Sequence, residues 1–196
     1  MIETTATLTT WERALMAVEN VKDRLRRATE ALDRRGIPYA VADGNAVAEW
    51  VARIDEGAVR NTKDVDILVQ RSDFAAVKSA LESAGFVHHH LIDIDVFIDG
   101  RNSRPSDGVR LLFAGEKVKR DDLHSVPTLE ESERGDEFQV VSLESIVRMK
   151  LNSYRLKDRV HLLDLINVGH IDSTWPAHFP AELGQRLQEL LDNPDG

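Results

Sequence analysis

The chain has 196 residues, 42% hydrophobic and 30% charged, which is the balance of a globular protein long enough to bury a core without staples. It has no cysteine, which excludes disulfides, thiolate zinc sites and thiol nucleophiles and fits a reducing, cytoplasmic compartment. The net charge of −9 makes it a poor non-specific binder of DNA or RNA, and suits either plain solubility or an enzyme that gathers carboxylates around a divalent cation.

Residues 1–10 carry no basic n-region and no apolar h-region, so no secretory signal is expected. No apolar run reaches the ~18–20 residues that span a bilayer, so no membrane association is expected. From Thr10 to about Arg35, Leu15, Val18, Val21, Leu25, Ala28 and Leu32 recur at three- and four-residue steps and predict a helix. Gly36 ends it as a C-cap, and Pro38 follows. A short buried strand over residues 39–42 runs into a turn at Asp43, Gly44 and Asn45, then a helix from Ala46 to Ile54. Residues 64–69 read as a central, two-sided strand. Ser72 or Asp73 caps a helix from Phe74 to Ala84.

Residues 91–98 alternate strictly: Ile92, Ile94, Val96 and Ile98 face one side, Asp93, Asp95 and Phe97 the other. Another strand is expected over residues 109–114. Residues 120–136 read as acidic surface loop and residues 139–141 as a short strand. Ser142 caps a helix that runs to Asn167, broken near Leu156. A last helix covers residues 183–191. Strands alternating with helices, followed by antiparallel-looking strands and then helices, predict an α/β (α+β) fold: a mixed β-sheet flanked by helices, with C-terminal helices.

Asp64 and Asp66 are two apart on a strand, so they project from one face. Two adjacent carboxylates repel, and a divalent cation such as Mg²⁺ relieves that while neutralising charge on a phosphoryl group. A solvated strand end would carry the same pair with no metal. Upstream, the strand–turn–helix at Gly44 and Asn45 lets backbone amides and a positive helix end approach a phosphate, with Asn45 as N-cap and phosphate contact; an ordinary connection with a Gly is the alternative. Lys150, Tyr154, Asp158, His161 and Leu165 fall on one helical face, and a salt-bridged surface helix reads the same way.

Val41-Ala-Asp-Gly-Asn-Ala46, Arg60-Asn-Thr-Lys-Asp-Val-Asp-Ile-Leu68 and the Lys-Leu…Lys-Asp…Asp-Leu block from Met149 to Leu165 together resemble the nucleotidyltransferase superfamily, of polymerase-β-like fold. The branch they look most like is that of the stand-alone bacterial nucleotidyltransferases and AbiEii-type toxins. The resemblance covers roughly residues 37–70 and 140–168. It implies that Gly44, Asn45 and Thr62 border the triphosphate of an NTP, that Asp64 and Asp66 hold Mg²⁺, that Lys150 directs charge at the nucleotide and that Asp158 orients it. The implied acceptor hydroxyl belongs to an RNA end such as tRNA, to a protein or to a small molecule. A catalytically degenerate binding module and a toxin–antitoxin component with an antitoxin partner are the alternatives. Residues 1–36 then form an N-terminal helix on a nucleotidyltransferase core of residues 37–138, with a C-terminal helical region, 139–196, in one unit.

Two positions depart from the family pattern. Asp43 replaces the first residue of the usual Gly pair, a carboxylate that needs a metal or Lys between it and a triphosphate. Arg110 stands on the strand where many members carry a third carboxylate. Asp95, mid-strand, is the better substitute of the Asp93–Asp95 pair, against the alternative that both face solvent. His88, His89 and His90 alternate faces and do not converge as a zinc site. Ser142 and Ser145 lack a His–Asp constellation, the basic stretch from Gly115 to Arg120 reads as a solvated turn, and Trp11, Trp50 and Trp175 are too scattered to form a stacking platform.

Overall fold

The computed structural model of the protein describes residues 8–92, 94–100, 107–118 and 124–194. Asp93, the end of the basic stretch at Lys119 and Arg120, and the first residues of the expected acidic loop, 121–123, lie outside them, as do residues 1–7, 101–106 and 195–196. Helix α1 (Thr10–Asp33) begins at a capping box, in which the Thr9 hydroxyl accepts from the Glu12 N–H and the Glu12 carboxylate from the Thr9 N–H. Its apolar stripe is buried only in the second half: Leu25, Ala28 and Leu32 enter the core, whereas Leu15 is exposed and Trp11 is 82% exposed. The chain reverses at Gly36, whose φ of 62° is in the left-handed region, and the Ile37 N–H returns to the Leu32 carbonyl.

Strand β1 (Tyr39–Ala42) is buried at every position and passes directly into α2 (Asp43–Ala52). The helix thus starts at Asp43, where the sequence predicts a turn. Strand β2 (Val65–Val69) is fully buried, with Asp64 immediately before it. A 3-10 turn over Arg71–Asp73 leads to α3 (Phe74–Ser83), and Asp73 occupies the N-cap without a side-chain cap bond.

The alternating run at residues 91–98 is not one strand. It is the end of β3 (Phe86–Leu91), a turn and the start of β4 (Ile94–Asp99), paired as an antiparallel hairpin. Ile92, at φ 56°, sits in that turn and is exposed, so it leaves the face its spacing assigns to it. Strand β5 (Gly108–Phe113) comes next. Within the stretch expected to be loop lies β6 (Ser132–Arg134), an edge strand paired with β7 (Gln139–Val141). The polar Ser-Glu-Arg sequence hides it, because an edge strand need not bury either face.

The C-terminal helices are α4 (Leu143–Ser153), capped by Ser142, α5 (Leu156–Asn167) and α6 (Ala181–Asp192). Tyr154, left-handed at φ 44°, separates α4 from α5.

The strands form one seven-stranded mixed sheet in the order β3-β4-β5-β2-β1-β7-β6. β1 runs antiparallel to β2, while β2 and β5, and β1 and β7, are parallel. Among the described residues six α-helices flank the sheet. α1 and α3 contact each other and the sheet; α2 packs on β1 and β2 and against α4 and α5. Among the described residues a buried apolar cluster runs from Leu25 to Leu190. Among the described residues no helix is long and apolar enough to cross a membrane.

Strand register brings three distant segments of the chain together. Ala42 pairs with Asp66 across β1 and β2, and Asp66 pairs with Arg110 across β2 and β5. Paired residues share a sheet face. The amino end of α2, the Asp66 carboxylate and the Arg110 guanidinium therefore meet on one side of three adjacent strands.

Candidate active site

The β1–α2 junction is held by close packing. Asp43 adopts φ 50°, a conformation glycine takes without penalty and Asp tolerates better than most. A Cβ on Gly44 would stand 2.7 Å from Thr62 Oγ1 and 2.8 Å from Thr62 Cβ, so only glycine fits this contact without movement. Ala42, and not the expected Asn45, holds the N-cap position, and it caps with no side chain. The Asn45 amide instead donates to the Asp64 carbonyl at 2.7 Å. Thr62 Oγ1 accepts from the Asp64 N–H at 3.4 Å. Gly44, Asn45 and Thr62 thus form a clamp that sets Asp64 against the start of α2. Arg60 ties the same segment to α5 through two 2.9 Å bonds to Asp164.

Asp64 and Asp66 point to the same side, as the shared grip of Arg110 shows. Arg110 Nη2 donates to Asp66 Oδ2 at 2.9 Å, Nε lies 2.9 Å from Asp66 Oδ1, and Nη2 lies 3.3 Å from Asp64 Oδ2. Asp66 is buried, while the Asp64 side chain is 37% exposed toward solvent. Burial pushes the Asp66 carboxyl up, and the nearby Arg110 charge only partly offsets it. Burial works to lower the Arg110 guanidinium, but Asp66 and Asp64 outweigh it and hold it up.

Residue spacing sets Lys150 on one helical face with Tyr154, Asp158, His161 and Leu165. The helix does break just before Leu156, where a break is expected, and this corrects the shared face: Lys150 on α4 meets Asp158 on α5 across the break. Lys150 is 2% exposed and its Nζ donates to Asp43 and, at 3.2 Å, to Asp158. Asp43 therefore has the Lys partner that its carboxylate requires, with Lys157 Nζ a further 3.4 Å from its other oxygen. Asp158 is fully buried and also accepts from Ser153 Oγ at 2.7 Å and from Arg155 N and Nε at 3.1 and 2.7 Å. Burial opposes its charge, but Arg155, Lys150 and Ser153 outweigh it and hold the carboxyl well below its ordinary value. Burial, against the pull of Asp158, lowers Lys150 to about 8.

Among the described residues, the ligand atoms of Asp43, Asp158 and His161 lie within 4.8 Å of one another. The Lys150 ammonium already bonds both of those carboxylates. Burial and the Lys150 charge lower His161 to about 4, so it is neutral near pH 7, with a buried Nδ1 that has no hydrogen-bond partner.

Asp95 is not brought to the pair. Val96 is the residue that pairs with Arg110, so Asp95 emerges on the opposite sheet face. There it accepts from His88 Nε2 at 2.8 Å and His90 Nδ1 at 3.0 Å. His88 and His90 share that face, while His89 does not. Trp50 is a core residue whose indole N–H donates to the Val141 carbonyl. Sequence reasoning misses the clasp of Arg110 and the part of Lys157, which lies 3.8 Å from Asp64 Oδ2. For Arg110 the signal is its place on the strand where many members carry a third carboxylate; for Lys157, its place one residue before Asp158.

Of these groups Asp43, Asp66, Arg110 and Lys150 line a cleft of about 470 Å³, with Met149 and Arg186 also on its wall. That volume suits a nucleotide-sized ligand. The model of a family described as uncharacterised nucleotidyltransferases matches residues 7–163. No curated protein matches the chain. Among solved structures, an antigenic nucleotidyltransferase-like protein from Paracoccidioides brasiliensis is similar at 19% identity, over 90% of both chains, with a TM-score of 0.58. JHP933 from Helicobacter pylori is similar at 15% identity, over 96% of this chain and 78% of its own, with a TM-score of 0.51. At these identities the structural likeness speaks for the fold, while the family match spans most of the sequence, and with it the Asp-x-Asp strand, the Gly44 turn and the Lys150 helix: the chain belongs to this nucleotidyltransferase family.

Proposed function

We infer that the protein transfers a nucleoside monophosphate from an NTP to an acceptor hydroxyl in the Asp66–Lys150 cleft. The observation that carries this reading is the register: Asp66 lies directly across from Ala42, so the carboxylate pair faces the amino end of α2. The free N–H groups and positive end of a helix favour a phosphate there. Asp43 would repel that phosphate, but Lys150 and Lys157 neutralise it.

The donor set fits Mg²⁺ or a similar hard cation: two carboxylates on one face, one buried and raised by burial, the other reaching solvent. Asp64 and Asp66 would hold it, with Arg110 moved aside. Bound there, the cation would neutralise charge building on the phosphoryl group. Gly44, Asn45 and Thr62 position Asp64. Asp158 orients Lys150 and keeps it charged against its desolvation. Arg186 and Met149, which also line the cleft, would border an acceptor. The overall charge weighs against a long nucleic acid and favours a small molecule or a protein side chain.

The test is incubation with NTPs labelled at the α-phosphate and a panel of tRNA, protein and small hydroxylated acceptors. Label transfer with pyrophosphate release is expected, reduced by ~100-fold or more in Asp66→Asn, as for loss of a metal ligand. Transfer undiminished in Asp64→Asn and Asp66→Asn would sink the reading. A second reading, nucleotide binding without turnover, is favoured by one observation, the occupation of both carboxylates by Arg110; metal-dependent NTP binding with no product would support it. The AbiEii-type branch and an antitoxin partner rest on the sequence resemblance alone, and growth arrest on expression would test them.

A further inference from the structure

The carboxylate pair already has a cation. Arg110 stands beside Asp66 in the β2–β5 ladder, and its guanidinium donates to Asp66 Oδ2 and lies within ion-pair distance of Asp66 Oδ1 and of Asp64. It also comes within 3.9 Å of Asp43 Oδ2. A dication held by Asp64 and Asp66 would lie against this fixed positive charge, and like charges at that range repel strongly in a partly buried site. Asp64, Asp66 and Arg110 together sum to a single negative charge, which Lys157, 3.8 Å from Asp64 Oδ2, offsets further. That is a weak draw for a bare dication, which gives up water reluctantly. A dication arriving on a triphosphate brings its own anionic ligands and alters the balance.

Arg110 can move. Its side chain is 31% exposed and borders the cleft. A guanidinium pairs with phosphate oxygens through the same fork it offers a carboxylate. Lys157 reaches Asp64 as well, but it is farther away and more exposed, and Lys150 is committed to Asp43 and Asp158. Among these cations Arg110 alone touches both members of the pair.

We propose that Arg110 is the resting counter-ion of the metal site: it closes the Asp64–Asp66 pair to a free divalent cation and yields it when a metal–triphosphate complex enters, then takes phosphate oxygens. This rests on the reading of Asp64 and Asp66 as the metal pair. Metal and triphosphate binding are then mutually dependent, and Arg110 is a positioning residue whose role shows in binding before it shows in turnover.

The test is calorimetric titration of the full chain with MnCl₂ alone, for the wild type, Arg110→Gln and Arg110→Lys. Gln keeps an amide donor for the buried Asp66, so the fold is not left with a stranded carboxylate; thermal melts by circular dichroism verify this. Lys keeps the charge. The expected result is Mn²⁺ affinity at least ~tenfold higher in Arg110→Gln than in the wild type or Arg110→Lys, as removal of a like charge beside the site requires, with the gain abolished by adding Asp66→Asn. Equal affinity in wild type and Arg110→Gln, or a gain that survives Asp66→Asn, overturns the counter-ion role and leaves the transferase reading standing. If none of the three proteins binds Mn²⁺ even with inorganic triphosphate present, the metal-pair reading falls with it.

Discussion

Gly44→Ala isolates the contact that sets the site. The new Cβ would sit 2.7 Å from Thr62 Oγ1 and 2.8 Å from Thr62 Cβ, distances real Cβ atoms essentially never show. Gly44 is in α2 and has no positive φ, so alanine gains about 0.5–1 kcal/mol of helix propensity there. The clash acts the other way. Thr62 Cβ cannot rotate away, so the helix end or the segment before β2 must shift, and overpacking of this kind costs typically about 1–3 kcal/mol. The clash wins, with a net loss of about 1–2 kcal/mol, or about 2–8 °C in Tm for a chain of this size. Thermal and urea denaturation read the loss. In a Thr62→Gly background the obstructing atoms are gone, and Gly44→Ala should become neutral or slightly stabilising, a coupling that a double-mutant cycle measures. A Gly44→Ala variant as stable as the wild type in the presence of Thr62 would refute the packing argument and, with it, the claim that Thr62 sets the α2 end against Asp64.

Other consequences are as direct. Asp158→Ala leaves the buried Lys150 with one fewer carboxylate and should cost about 3–5 kcal/mol in urea unfolding, the range for breaking a buried ion pair. Because Asp158 is held below its ordinary value, its contribution is present above the unfolded carboxyl value, near 3.8, and is lost as pH falls through the folded value; Asp158→Asn should flatten the acid limb of the stability curve. His161 titrates at about 4 in the fold against 6.5 for the free group, so its contribution is complete above pH 6.5 and drains away toward pH 4. His161→Gln should remove that slope, and an unchanged slope in stability measured from pH 7 to pH 4 would contradict the buried, neutral imidazole.

Much of the site is legible in residue spacing and resemblance, because its parts are local. Asp64 and Asp66 announce themselves by period two on an apolar strand, and Gly44 by its place between a strand and a helix. The Asp43 problem also carries its own solution, since a carboxylate near a phosphate needs a Lys, and Lys150 supplies it. What the sequence hides depends on register. Arg110 is one arginine on a short strand until its pairing with Asp66 puts its guanidinium on the carboxylates. Asp95 looks well placed mid-strand, but one residue of register moves a side chain to the other face, where His88 and His90 take it. The β3–β4 hairpin escapes the sequence reading because Ile92, in its turn, is apolar and exposed and continues the alternation through a reversal of the chain. Lys150 and Asp158 do meet, but not by the geometry their spacing suggests: the helix that would align them breaks at Tyr154, and tertiary packing brings them together instead.

The central claim is that Asp64 and Asp66 at the amino end of α2 bind a nucleoside triphosphate together with a divalent cation. Calorimetric titration with ATP, GTP, CTP and UTP, with and without Mg²⁺, on the wild type and on the Asp64→Asn/Asp66→Asn double variant, tests it most directly. At least one NTP is expected to bind only with Mg²⁺, and the double variant is expected to lose this binding. Failure of every NTP to bind the wild type, or undiminished Mg²⁺-dependent binding in the double variant, would contradict the claim.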